Sequence, residues 1–135
     1  MIQQPHRALT IKPADMVVFT AMSKKYFYMR LFVTKFALDQ GVVPINPFTS
    51  FDYFLLDAVE RDTVRRANNT LVARADELWV FGDIADGVRA EIMQAWQQHK
   101  TVRFFAFRGD KHIYEVTIDN LSYEDGVEPL IHIGE

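Results

Sequence analysis

The chain of 135 residues contains no cysteine and only four histidines. Without cysteine it cannot form a disulfide framework, a thiolate zinc site or a thiol catalyst. The histidines lie far apart and lack the spacing of a metal site. They are His6, His99, His112 and His132. We therefore expect no metal ion to be bound.

Glycine and proline are also scarce, with 6 and 5 residues, and glycine-rich phosphate loops are missing. The sequence has no Gly-x-x-x-x-Gly-Lys-Ser/Thr motif and no Gly-x-Gly-x-x-Gly motif, so it lacks the nucleoside triphosphate and dinucleotide fingerprints. It has no Gly-x-Ser-x-Gly nucleophile elbow either. We expect a protein that works without a cofactor.

Long apolar runs are absent. No stretch approaches the roughly 18 apolar residues of a membrane span, and residues 1–14 contain no apolar signal core. The net charge of -3 predicts no general basic surface for a nucleic acid polymer. Hydrophobic residues make up 49% of the chain, enough for the core of one domain. The sequence therefore predicts a cytoplasmic single domain, 1–135, with an N-terminal arm at 1–14 and a C-terminal tail at 121–135.

Strand and helix patterns alternate along the chain. Short apolar runs predict strands, and apolar residues spaced by three or four predict helices. We expect strands at 16–22, 42–46, 78–81, 102–107 and 112–118, and helices at 24–40, 57–74 and 88–100. Ser23 and Asp86 are expected N-caps, and Pro44 predicts an edge strand. The alternation predicts an α/β fold with a doubly wound, mainly parallel sheet of four to five strands in three layers.

The helix at 24–40 is unusually apolar, since its apolar residues cover more than one face. They are Tyr26, Phe27, Tyr28, Met29, Leu31, Phe32, Val33, Phe36, Ala37 and Leu38. Such a helix is either deeply buried or part of a subunit interface. We favour the interface and expect a homodimer or a larger homo-oligomer.

Three carboxylates, Asp83, Asp86 and Glu91, follow the strand at 78–81. Side chains on a helix lean towards its N-terminus, so Glu91 is expected to point at the strand-to-helix turn. Ligands bind in open α/β sheets at this edge, where the strands end. The alternatives are a solvated helix residue for Glu91, a cap for Asp86 and a turn residue for Asp83.

Ser23, Lys24 and Lys25 lie at the first strand-to-helix turn. Free N–H groups at the start of a helix, together with lysine, suit a phosphate group. This interpretation favours a nucleotide over a nucleoside as the ligand. The alternative is an ordinary helix cap with two solvated lysines.

Several segments together resemble the nucleoside 2-deoxyribosyltransferase-like superfamily, which includes deoxyribosyltransferases and deoxynucleoside monophosphate N-glycosidases. They are Gly-Val-Val-Pro-Ile-Asn-Pro-Phe at 41–48, Ala-Asp at 75–76 and Asp-Gly-x-x-x-Glu-Ile at 86–92. The resemblance covers about 17–107 and implies a flavodoxin-like fold and an oligomer with sites near subunit contacts. It also implies a glutamate nucleophile four residues after a glycine, which Glu91 and Gly87 match. Asn68 is the nearest match to an aspartate that the family often has.

The resemblance implies cleavage of the N-glycosidic bond of a nucleoside or its monophosphate, with transfer of the sugar to water or to a second base. Glu91 would attack the anomeric carbon, and Asp86 or Asp83 would protonate the leaving base. The expected substrate-binding residues are Ser23, Lys24, Asn46, Phe48, Tyr53, Asn68 and Gly87. Phe48, Phe51 and Tyr53 either stack on the base or close the core. A non-catalytic nucleotide-binding or sensing module and an assembly protein remain the alternatives.

Overall fold

A computed structural model describes residues 4–51, 58–109 and 111–131. Its five-stranded sheet has the order β2-β1-β3-β4-β5. The strands are β1 (Val17–Met22), β2 (Val43–Ile45), β3 (Glu77–Phe81), β4 (Thr101–Arg108) and β5 (His112–Val116). The first four strands in space are parallel, and only β5 runs antiparallel, against β4. The predicted α/β fold with a mainly parallel sheet is confirmed, and so is the edge position of Pro44.

Helices cover both faces of the sheet. They are α1 (Arg30–Asp39), α2 (Pro47–Ser50), α3 (Arg61–Arg74) and α4 (Asp86–Gln97). Successive strand residues point to opposite faces. In β3, Leu78 and Val80 therefore pack in the core beneath α3 and α4, whereas Trp79 and Phe81 pack with α1. The two cores on either side of one sheet give the three-layer, flavodoxin-like arrangement.

The first predicted helix, 24–40, contains two kinds of helix. Lys24–Met29 is a 3-10 helix, and α1 begins only at Arg30. Ser23 caps this segment as predicted, because its Oγ accepts a hydrogen bond from the Lys25 N–H at 3.3 Å. Gly41 follows α1 with a φ of 82°, a left-handed conformation that glycine adopts at little cost.

Two helix starts differ from the prediction. The helix expected at 57–74 begins at Arg61, because the Glu60 carboxylate caps it by accepting the N–H groups of Asp62 and Thr63. The predicted cap at Asp86 is wrong, because Asp86 is already the first residue of α4 and Ala85 holds the cap position. A negative charge in the first turn still interacts favourably with the helix dipole. Residues 52–57, which include Tyr53, lie outside the described part of the chain.

The described part of the C-terminal tail, residues 121–131, packs on its own domain. The Ile84 N–H donates to the Ser122 carbonyl at 2.9 Å, and the Glu124 N–H donates to the Ile84 carbonyl at 3.0 Å. Farther along, Leu130 is buried, and its N–H donates to the Tyr123 hydroxyl at 3.1 Å. The tail is thereby held against the loop that connects β3 to α4. None of the helices in the described residues has the length and apolar character needed to cross a bilayer.

Candidate functional site

A cavity of about 700 Å³ opens where β1 and β3 end. Its wall is formed by the turn after β1, by α2, by one face of α3, by the start of α4 and by Glu124 from the tail. β2, which follows β1 in the chain, lies on one side of β1, and β3 lies on the other side. The direction in which successive strands are added to the sheet therefore reverses between β1 and β3. Ligands bind at such a switch point in open α/β sheets.

Glu91 lies in the cavity wall on α4 and is held by Asn68 of α3. Asn68 Nδ2 donates a hydrogen bond to Glu91 Oε2 at 2.6 Å. Burial raises the pKa of Glu91 from 4.5 to about 7, and the hydrogen bond from Asn68 opposes this by stabilising the charged form. A carboxyl group with a pKa near 7 exchanges protons readily at neutral pH, as a catalytic acid or base does.

The packing of α3 against α4 fixes this pair. Val72 of α3 and Ile92 of α4 are fully buried in the same core. Gln94 Nε2 of α4 also donates to the Asn69 carbonyl of α3 at 3.0 Å. Because both side chains stand on packed helices, the distance between Asn68 and Glu91 is set by the fold.

Another part of the wall centres on Ser23, which is buried. Its hydroxyl donates to Glu124 Oε2, in addition to accepting the Lys25 N–H. Lys25 Nζ lies 2.6 Å from Asp83 Oδ2 and 3.9 Å from Glu124 Oε2. The hydrogen bond with Asp83 raises the pKa of Lys25 above its ordinary value. This turn is therefore a network of opposite charges.

Most of the predicted site residues line the cavity. They are Ser23, Lys24, Phe48, Asn68, Asp86, Gly87 and Glu91. Asp83 does not line it, and its carboxylate is paired with Lys25. Asn46 does not line it either; it is buried, caps α2 through the Phe48 N–H and donates to Thr20 Oγ1 at 3.1 Å. Tyr53 lies outside the described residues.

Phe48 both packs against the core and lines the cavity. Its ring packs edge-on against Phe27, with centroids 5.6 Å apart, and belongs to the core on the α1 side. It also lines the cavity, as does Phe51. Phe48 therefore divides its surface between the core and the cavity, and Phe51 adds apolar surface to the cavity wall.

Three polar residues of the cavity wall were missed from the sequence: Arg65, Asn69 and Glu124. Arg65 lies three positions before Asn68 and four before Asn69 on α3, so helical spacing could have indicated that they share one face. No sequence pattern indicated Glu124 as a site residue, because it reaches the cavity only through the pairing of the tail with Ile84. Within residues 4–51, 58–109 and 111–131, no three acidic, histidine or cysteine side chains are grouped to hold a metal ion.

These observations define an α/β protein with a partly acidic cavity at the switch point of its sheet. Residues 19–105 match the family described as Domain of unknown function (DUF7768), and the chain belongs to that family. The matched region runs from β1 into β4 and contains Ser23, Asn68 and Glu91 but not Glu124. No curated protein matches the chain.

Proposed function

We propose that the protein cleaves the N-glycosidic bond of a nucleoside or its monophosphate, with Glu91 as the nucleophile. The observation that carries the proposal is the Glu91 carboxyl group in the wall of the switch-point cavity, hydrogen-bonded by Asn68. Further support comes from the resemblance of the Asp-Gly-x-x-x-Glu-Ile segment at 86–92 to the nucleoside 2-deoxyribosyltransferase-like superfamily.

The dimensions and lining of the cavity suit such a substrate. Small-molecule sites occupy about 300–1,000 Å³ and combine apolar walls with a few polar groups, and this cavity holds about 700 Å³. Met22, Phe48 and Phe51 supply apolar surface on which a base can pack. Asn68, Asp86 and Glu91 supply the polar groups.

The proposed reaction has two displacements. In the first, the ionised Glu91 carboxylate forms a bond to C1′ while the bond from C1′ to the base nitrogen breaks. The electron pair stays on the base, which takes a proton from Asp86, the aspartate that shares the cavity with Glu91. In the second, water or another base attacks C1′, the bond from C1′ to Glu91 breaks to release the carboxylate, and the proton of the attacking group returns to Asp86.

The raised pKa of Glu91 fits this chemistry. The transition state carries positive charge on the sugar ring. An ionised carboxylate that burial has made less stable interacts more strongly with that charge, because little water screens the pair. With a pKa of about 7, part of the protein carries the ionised form at neutral pH.

The test is base release from a panel of deoxyribonucleosides, ribonucleosides and their 5′-monophosphates, followed by chromatography. The wild-type protein should release free base from at least one compound, and Glu91→Gln should lower that rate at least about a thousandfold. Glu128→Gln is the control, because Glu128 is an exposed carboxylate outside the cavity wall. Binding without release would favour the nucleotide-binding or sensing module, and full activity in Glu91→Gln would refute the nucleophile.

We further propose that the protein acts in the cytoplasm as a homo-oligomer on small molecules. Four apolar side chains around α1 and the edge strand β2 remain exposed in the single chain: Tyr28, Leu31, Leu38 and Val43. Large contiguous patches of exposed apolar groups mark subunit contacts, and these four side chains would belong to one. The absence of cysteine suits a reducing compartment.

A further inference from the structure

Glu124 reaches the cavity because the tail pairs with the loop after β3. The main-chain hydrogen bonds of Ile84 with Ser122 and Glu124 fix its backbone. Its side chain then accepts the Ser23 hydroxyl and lines the cavity. The carboxylate is therefore anchored at both ends, by its own backbone and by a buried serine.

This arrangement changes the electrostatics of the turn that the sequence suggested for a phosphate. Lys25 lies closer to Asp83 than to Glu124, at 2.6 Å against 3.9 Å, and is shared between two carboxylates. The three charges sum to one negative charge. The Ser23 hydroxyl, which a phosphate would need as a donor, already donates to Glu124.

The remaining charges of the cavity wall do not reverse this balance. Besides Glu124, two cations, Lys24 and Arg65, and two carboxyl groups, those of Asp86 and Glu91, line the cavity. Arg65 is also engaged, since its guanidinium lies 2.8 Å from Asp62. A phosphate dianion that entered beside Ser23 would meet a fixed carboxylate at short range.

We propose that Glu124 is a specificity-determining residue that selects substrates with a free sugar hydroxyl over 5′-phosphorylated ones, an inference that rests on the proposed function. An ionised carboxylate only accepts hydrogen bonds, so a hydroxyl is its complementary partner. A phosphate has no proton to donate when fully ionised and is repelled by the like charge. Specificity commonly depends on such a repulsive element as well as on attraction.

The experiment compares Glu124→Gln with the wild type. Calorimetry measures the binding of each deoxynucleoside and its 5′-monophosphate, and base release is measured on the same pairs. The amide that Glu124→Gln introduces keeps an oxygen that accepts the Ser23 hydroxyl but carries no charge. The wild type should prefer the nucleoside, and Glu124→Gln should reduce that preference at least about tenfold, which corresponds to about 1.4 kcal/mol.

Asp125→Asn is the matched control, because it removes an exposed carboxylate from the next position without touching the cavity wall. Its preference should equal that of the wild type. If Glu124→Gln does not fold, the wild type alone remains informative, since added salt screens charge repulsion and should raise the relative affinity of the monophosphate. A preference that salt leaves unchanged would contradict the proposal.

The experiment distinguishes failure of the selection by Glu124 from failure of the proposed function. If the wild type cleaves nucleosides but accepts monophosphates equally well, or if Glu124→Gln leaves the ratio unchanged, the selection by Glu124 is refuted while the proposed function stands. If the wild type cleaves neither class, the proposed function itself fails; if it also binds neither class, the selection by Glu124 fails with it.

Discussion

Asn68 Nδ2 donates a hydrogen bond to Glu91 Oε2 across 2.6 Å, joining the middle of α3 to the second turn of α4. The pair combines two opposite influences on one carboxyl group. Burial disfavours its charge, whereas the amide donor stabilises that charge, and the pKa of Glu91 settles at about 7.

The first prediction concerns stability as a function of pH. The pKa of Glu91 is about 7 in the folded protein, against an ordinary value of 4.5. Below pH 4.5 the group is neutral in both states, whereas between pH 4.5 and 7 the unfolded chain loses its proton first. The free energy of unfolding should therefore fall over this window by up to about 3 kcal/mol.

Urea denaturation at about pH 5 and about pH 8 measures this decrease in the free energy of unfolding. Comparison with Glu91→Gln shows how much of the decrease comes from Glu91. The variant should lose this part of the pH dependence and should be more stable than the wild type above pH 7. Glu128→Gln, which changes an exposed carboxylate, should retain the decrease. Equal pH dependence in the wild type and Glu91→Gln would contradict the raised pKa.

The second prediction concerns the pH profile of catalysis. If Glu91 attacks as a carboxylate, kcat/KM should rise with pH and level off above about 7, provided that the substrate carries a base that leaves without a proton from Asp86. Asn68→Ala removes the donor that stabilises the carboxylate, so the rising limb should move to higher pH by roughly one unit. Asn69→Ala, one position along α3, should leave the limb in place. Rates that decrease through pH 7 would instead identify Glu91 as a general acid.

The third prediction uses two glycines with the same backbone conformation. Gly82 and Gly126 both have a φ of 82°, so alanine is strained at either position. A Cβ at Gly82 would lie 2.4 Å from Tyr26 Cε2, whereas a Cβ at Gly126 would meet nothing within 4 Å. Gly126→Ala should cost about 1 kcal/mol of unfolding free energy, and Gly82→Ala should cost about 2–4 kcal/mol.

Chemical denaturation of the two glycine variants gives the comparison directly. The difference between them measures the steric contact alone, since the backbone strain is common to both. The Tyr26 hydroxyl accepts the Asp83 N–H at 3.0 Å, so displacement of the ring also disturbs the loop after β3. Equal losses of stability would show that Tyr26 moves aside freely.

The fourth prediction concerns assembly. Leu31 is 67% exposed on α1 beside other apolar residues, and a charge there should weaken a subunit contact. Sedimentation should show a homo-oligomer for the wild type and a smaller species for Leu31→Lys. Leu9→Lys is the control, because Leu9 is 81% exposed but lies in the N-terminal arm. A wild-type monomer at high concentration would refute the oligomer.

The sequence predicted the sheet well because strands are encoded locally. The apolar run at 78–81 lies within β3 (Glu77–Phe81), and the run at 16–22 contains β1 (Val17–Met22). Pro44 predicted the edge position of β2 because proline cannot donate a ladder hydrogen bond. Helix starts were less certain: Glu60, and not an earlier residue, caps α3, and Asp86 lies inside α4.

From the sequence by itself, helix geometry aimed Glu91 at the end of the preceding strand but left a solvated helix residue as the alternative. The structure places Glu91 in the cavity wall. Tertiary structure alone decided which groups meet there. Asn68 reaches Glu91 through the packing of α3 on α4, and Glu124 arrives through the pairing of the tail with Ile84. The pKa of Glu91 depends on these neighbours, because desolvation is a property of the surrounding protein and not of the residue or its position in the chain.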